Sequence, residues 1–256
     1  MEVEIKKAVK AGNSSAVILP RSWLSKEVRV ELIEKTADKI LAEVIEIAKR
    51  YIDLREIIGI YLVGSYAREE ESEDSDIDIL IITSESNKEM IREGIYSILI
   101  VSKELLEQKL KNDLFPVGQM IREARALINA SYLEFLKVIV TKDNVKWYLE
   151  TTKEKIDLAA EILEKTKRKV VNNRLVYTLI LRIRTLYIIQ KLIKNQDYSN
   201  IDFVKLIARV SGSKNAYDSY LAIKNDLREE DITTGEEAEK LYFYLKKQLD
   251  EVNRQI

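Results

Sequence analysis

Asp76 and Asp78 stand two residues apart within GSYAREEESEDSDIDIL, residues 64–80. They lie at the mouth of an apolar run, residues 77–82, that reads as a buried strand. Side chains alternate along a strand, so both carboxylates point to one face, close enough to share a divalent cation. That is the outline of an Mg2+ site. Gly64 and Ser65 end an earlier apolar run, residues 57–63, with a turn whose backbone amides are open to an anion. Such nests of amides bind phosphate. Metal on one side and phosphate on the other point to a nucleotide. Arg68 is placed either to reach a phosphate or to balance the acidic run at 69–74 on the surface.

Composition narrows the chemistry further. The 256 residues contain no histidine and no cysteine. Ser/His and Cys/His mechanisms, the commonest zinc ligands and a disulfide framework are thereby excluded. Any catalysis must rest on carboxylates and metal. A hydrophobic content of 46% beside 33% charged residues is that of a globular chain long enough to bury a sizeable core. The net charge of -1 gives no whole-chain case for nucleic acid, which leaves only a local basic patch. Charged residues follow Met1 at once, so no signal peptide and a cytoplasmic location are expected. The longest apolar stretch, 175–193, carries Arg182 and Arg184 near its middle, which argues against a membrane span.

The elements that must position the aspartates can be read in outline. Thr36 reads as the N-cap of a helix to about Tyr51, with Ile40, Leu41, Val44, Ile47, Ala48 and Tyr51 on one stripe. The strand at 57–63, the acidic loop and the strand at 77–82 follow. Leu80 and Ile82 share the face of the aspartates while Ile77, Ile79 and Ile81 line the other, so the strand is buried on both sides. Residues 84–94 read as a short helix or loop, 95–101 as another strand, and Ser102 as the cap of a helix at 103–111. From Val117 the spacing is helical, including GQMIREARALI. Residues 132–140 have no clear assignment. Further helices are expected around 156–170 and over 175–193. The last one opens on a capping box, Thr234 with Glu237.

The combination of strand, GS turn, short helix, acidic loop and DxD strand resembles the DNA polymerase beta superfamily of nucleotidyltransferases, in particular the small prokaryotic minimal nucleotidyltransferases. The likeness covers residues 57–102. It implies that Asp76 and Asp78 hold the metals and are catalytic, and that Gly64, Ser65 and Arg68 bind the nucleotide. It also implies a third carboxylate on the next strand, where this chain has Ser97; Glu93 and Glu104 are acids nearby but off the expected place. A serine cannot replace a carboxylate. Glu69 stands where the family often has glycine. The helical C-terminal half resembles the bundles of kanamycin nucleotidyltransferase relatives and the HEPN domains that accompany minimal nucleotidyltransferases. HEPN ribonuclease chemistry needs a histidine this chain lacks. Arg182 and Arg184 either face a substrate or phosphate, or are core arginines.

The N-terminal stretch reads as a compact β unit: a strand, a turn at Gly12 and Asn13, a strand SAVILP, and VRVELIE with alternation of Val28, Val30 and Leu32. Its net charge over residues 1–30 is about +3. VKAGNSSAVILPRSWLSKEVRVELIE resembles the AbrB-like swapped-hairpin modules of prokaryotic regulators and antitoxins, with Gly12, Asn13, Ser14, Pro20, Arg21 and Trp23 matching. The resemblance implies a homodimer that can bind DNA through Lys10, Asn13 and Arg21; the alternative is a module for dimerisation or packing only.

The expected architecture is α+β, with an AbrB-like module at 1–35, a mixed-sheet nucleotidyltransferase domain at 36–144 and a helical bundle at 145–256. The expected activity is Mg2+-dependent transfer of NMP from an NTP, ATP first among them, to a hydroxyl of a protein or small molecule. As an antitoxin-type modifier, the chain would act on a partner toxin protein. The alternative is a dimeric DNA-binding regulator whose transferase domain binds nucleotide with weak or no turnover.

Overall fold

The computed structural model describes residues 4, 6, 8–31, 35–72, 75–166, 170–227 and 230–256. Near the N-terminus, β1 (Ala8–Ala11) pairs antiparallel with β2 (Ser14–Val17). Ala11 faces Ser14, which leaves Gly12 and Asn13 as the two-residue turn the sequence predicts. Gly12 has φ +61°, the left-handed conformation such tight hairpins require. No strand follows over residues 26–31, so the predicted alternation at Val28 and Val30 forms no ladder; Leu32 lies outside the described residues. A strand needs a hydrogen-bonding neighbour, and none of the described residues offers one here. Ile18 and Leu24 are 71% and 78% exposed.

The chain then builds a mixed sheet. Helix α1 (Ala37–Ala48) is capped by Thr36, whose hydroxyl accepts from the Lys39 amide, and it buries Ile40, Val44, Ile47 and Ala48. There follow β3 (Ile57–Val63), the single turn α2 (Gly64–Ala67), β4 (Ile77–Thr83), β5 (Lys88–Glu93), β6 (Tyr96–Ser102) and α3 (Lys103–Asn112). After α4 (Val117–Glu123) come β7 (Arg125–Ile128) and α5 (Ala130–Phe135). The strand order is β5-β6-β4-β3-β7, with β4 and β6 parallel and the other pairs antiparallel. Register lines up Leu62, Ile79, Ile98 and Ile91 in one row across four strands. All four pack in the core shared with α1. Burying each such side chain fully contributes about 1.5–3 kcal/mol, which makes this row a main determinant of register.

Two expectations in this part of the chain are corrected. Residues 88–93 are a strand rather than a helix or loop, because β6 supplies a ladder for the charged sequence KEMIRE at a sheet edge. Helical spacing ends at Glu123, and Arg125–Ile128 instead pairs with β3 at the opposite edge.

Residues Met1–Glu107 with Glu123–Lys137 form one compact unit and Gln108–Arg122 with Val138–Ile256 another. The second unit is helical: α6 (Lys142–Thr166), α7 (Asn173–Ile193), α8 (Asn200–Ser211), α9 (Asn215–Lys224) and α10 (Gly235–Gln255). Helix α7 is apolar nearly all round and supplies Leu179, Ile180, Ile183, Leu186 and Ile189 to the core. The predicted capping box opens α10: the Glu237 amide donates to the Thr234 hydroxyl and the Thr234 amide donates to the Glu237 carboxylate. Both α7 arginines have partners in this unit. Arg182 donates to the Thr151 hydroxyl, and Arg184 to the hydroxyls of Tyr198 and Tyr220. Among the described residues, no helix is long and apolar enough to cross a membrane.

Candidate active site

Strand β4 carries Asp78 one position in from its start, half-buried between two neighbours. Across the antiparallel pair it faces Val63, and across the parallel pair it faces Ser97. Ser97 in turn faces Arg92 on β5. One row of the sheet face away from the isoleucine row therefore reads Val63, Asp78, Ser97, Arg92. Ser97, 9% exposed, occupies the place the resemblance assigns to a third acid, and it brings a hydroxyl only. Asp76 precedes the strand by one residue and is exposed.

Chain geometry at the end of β3 brings Gly64 against this row. Gly64 has φ +72°, and a Cβ at this position would collide with the Asp78 carboxylate. Glycine suits the position on both counts, since the left-handed backbone strains other residues and a side chain would meet the Asp78 carboxylate. Tyr61, two residues before Val63 and on the same face, donates its hydroxyl to the Asn129 carbonyl. Burial pushes its phenol up to about 12, so it stays protonated and holds β3 to the segment after β7.

The GS turn is tied down by carboxylates. The Gly64 amide donates to Glu123 Oε1 at 2.9 Å, and Arg68 Nη1 pairs with Glu123 Oε2. Arg68 Nε donates to Glu70 Oε2 at 3.0 Å. The Arg68 and Glu123 side chains are only 13% and 6% exposed. A third ion pair runs from Arg125 to Glu69 at 2.9 Å. The residues that enter β7 thus clamp the turn that follows α2 from both sides.

Of the residues expected from sequence, Asp76, Asp78, Gly64, Ser65 and Arg68 lie at one end of the central β3–β4 pair, where β3 ends and β4 begins. Lys10, Asn13 and Arg21 lie exposed in the N-terminal hairpin and the short turn after it. Glu93 faces Tyr96, on the α1 side of the sheet, and pairs with Arg50, so it cannot join Asp78. Glu104 lies in the first turn of α3, outside the sheet. Sequence reasoning missed Glu123 and Arg92. Glu123 is distant in sequence from Arg68, and Arg92 sits on a strand read as helix or loop. A cavity of about 480 Å³, lined in part by Lys35, Ile40, Leu62 and Tyr66, lies on the α1 side of the sheet and is separate from the Asp78 row.

Asp76 and Asp78 supply hard carboxylate oxygens, the donor type that suits Mg2+. That ion keeps several waters and completes its shell with substrate phosphate oxygens, so two protein ligands fit it. Among the described residues, no group of three or more acidic side chains is placed to hold a metal ion.

A nucleotidyltransferase-like protein from Exiguobacterium sibiricum 255-15 matches at 14% identity over 83% of this chain and 75% of that one, with a TM-score of 0.37. Spectinomycin adenyltransferase AAD(9) from Enterococcus faecialis, solved with ATP and spectinomycin, matches at 14% identity over 82% of this chain and 99% of that one, with a TM-score of 0.40. No curated protein matches the sequence. The profile of the family described as Nucleotidyltransferase domain matches residues 41–207, well over half of the chain and inclusive of the whole Asp78 row. The chain belongs to the nucleotidyltransferase domain family.

Proposed function

We propose that this chain transfers NMP from an NTP to a hydroxyl acceptor, with Asp76 and Asp78 as the metal-binding catalytic pair and Gly64, Ser65 and Arg68 as the nucleotide-binding group. The observation that carries this reading is Asp78 seated against the Gly64 turn, with Asp76 beside it, in a chain of this family. Family membership implies an NTP as donor, and nucleotidyltransferases generally use divalent metals. Mg2+ held by Asp76 and Asp78 would neutralise triphosphate charge and lower the pKa of the acceptor hydroxyl. The protein's own part is positioning. The glycine turn lets the backbone approach the phosphates closely, and the buried strand holds Asp78 at a fixed depth. ATP is the first donor to test. A partner toxin protein is the first macromolecular acceptor, with the chain acting as its antitoxin in the cytoplasm.

The test is incubation with each α-labelled NTP and Mg2+ in host lysate. An acceptor gains label with the wild type and none with Asp78→Asn. Absence of label with every NTP rejects the enzyme reading.

A second reading is favoured by Ser97 opposite Asp78, which puts a hydroxyl where the resemblance implies a third acid. In it the chain is a homodimeric regulator that binds nucleotide with little turnover and binds DNA through an AbrB-like module at residues 1–35, using Lys10, Asn13 and Arg21. Domains at 36–144 and 145–256 then act as sensor and bundle. The exposed Ile18 and Leu24 fit a module completed by a second copy. Duplex DNA binding that weakens steeply with salt and on Arg21→Ala supports this reading. Salt-insensitive or absent binding rejects it.

A further inference from the structure

We infer that Glu123 is a built-in competitor for the nucleotide: its carboxylate fills, from within the chain, the anion subsite formed by the Gly64 amide and the Arg68 guanidinium. The inference rests on the reading of Gly64 and Arg68 as phosphate-binding groups and adds what regulates them. Both Glu123 oxygens are engaged, Oε1 by the Gly64 amide at 2.9 Å and Oε2 by Arg68 Nη1. A carboxylate accepting from one backbone amide and one guanidinium presents the same pair of anionic oxygens as a phosphate does, with less charge. With Glu123 6% exposed and Arg68 13% exposed, water takes little part in this contact. An incoming phosphate and the Glu123 carboxylate, both anionic, compete for the Gly64 amide and the Arg68 guanidinium.

Glu123 ends α4, with Ala124 alone between it and β7, and the Arg125 to Glu69 ion pair ties β7 to the residues after α2. Release of Glu123 therefore requires a side-chain rotation and not the loss of β7. The competent state of the site is the one with Glu123 turned away. A ligand that needs a minor state binds more weakly by the fraction of molecules in that state. Removing the negative charge at residue 123 raises that fraction.

The experiment is calorimetric titration of the full chain with ATP and Mg2+, for the wild type, Glu123→Gln, Glu123→Asp and Asp78→Asn. Glu123→Gln is expected to bind ATP about tenfold or more tightly than the wild type, since the amide competes poorly for a guanidinium. Glu123→Asp, one methylene too short to span both partners, is expected to gain affinity as well. It serves if the glutamine variant does not fold. In the wild type, the Gly64 amide resonance is expected to move on ATP addition. Unchanged or weaker ATP binding in a folded Glu123 variant, or an unmoved Gly64 resonance, overturns the competitor. If wild-type binding is still lost in Asp78→Asn, the nucleotide site itself stands. Absence of ATP binding in every form overturns both.

Discussion

The carboxylate of Asp78 lies so close to the α-carbon of Gly64 that no side chain fits between them. A strand end and a turn separated by the acidic loop are thereby locked into one site. Gly64→Ala forces a left-handed backbone on alanine and a collision with Asp78, and is expected to cost about 1–3 kcal/mol of stability together with ATP binding. Urea denaturation and calorimetry measure both, and an unchanged unfolding midpoint would contradict the required close approach.

Ser97 faces Asp78 in register on a parallel neighbour. Ser97→Asp places a second carboxylate beside the first, and like charges repel when no cation lies between them. The variant is expected to lose about 1–2 kcal/mol without metal. Mg2+ is expected to restore that loss and to raise transfer above the wild-type rate. A melting temperature indifferent to Mg2+ would show that residue 97 does not share a cation with Asp78.

Arg68 sits between Glu70 and Glu123 with little exposure. Arg68→Ala removes the guanidinium that both carboxylates share and is expected to cost about 3 kcal/mol, as breaking a buried pair from one side does. Arg68→Lys keeps the charge without the fork and should fall between. Denaturation midpoints of the two variants check the order, and equal stability would place the clamp elsewhere.

At the start of α10, Glu237 is pushed up by burial, but bonds from the Ser213 hydroxyl and from the Thr234 amide and hydroxyl outweigh this and hold it below the usual carboxylate range. A depressed folded value means that its contribution is complete above the unfolded value and is lost as pH falls through the folded one. Glu237→Gln is therefore expected to flatten the acid limb of a stability–pH curve. Thr234→Ala is expected to lose about 1 kcal/mol at neutral pH. A wild-type acid limb retained in Glu237→Gln would contradict this assignment.

Much of the site was legible because its signals are local. IIGIYLV and IDILIIT lack a polar face apart from Asp78, and an aspartate inside such a run stands out because strands disfavour it. Thr36, and Thr234 with Glu237, announced their helices by position alone. What escaped depends on pairing between distant residues. KEMIRE has no apolar alternation strong enough to show a strand until β6 lies beside it, so Arg92 had no face. ARALI continues a helical spacing that only the edge of β3 interrupts. Nothing local in the sequence singles out Glu123, whose contacts with Gly64 and Arg68 join residues far apart in the chain.

The most direct test of the account is a crystal structure of the chain with ATP and Mg2+. The triphosphate is expected against Gly64 and Ser65, the metal between it and Asp76 and Asp78, and Glu123 turned away from the Gly64 amide. Nucleotide bound elsewhere, with Glu123 still on Gly64, would contradict it.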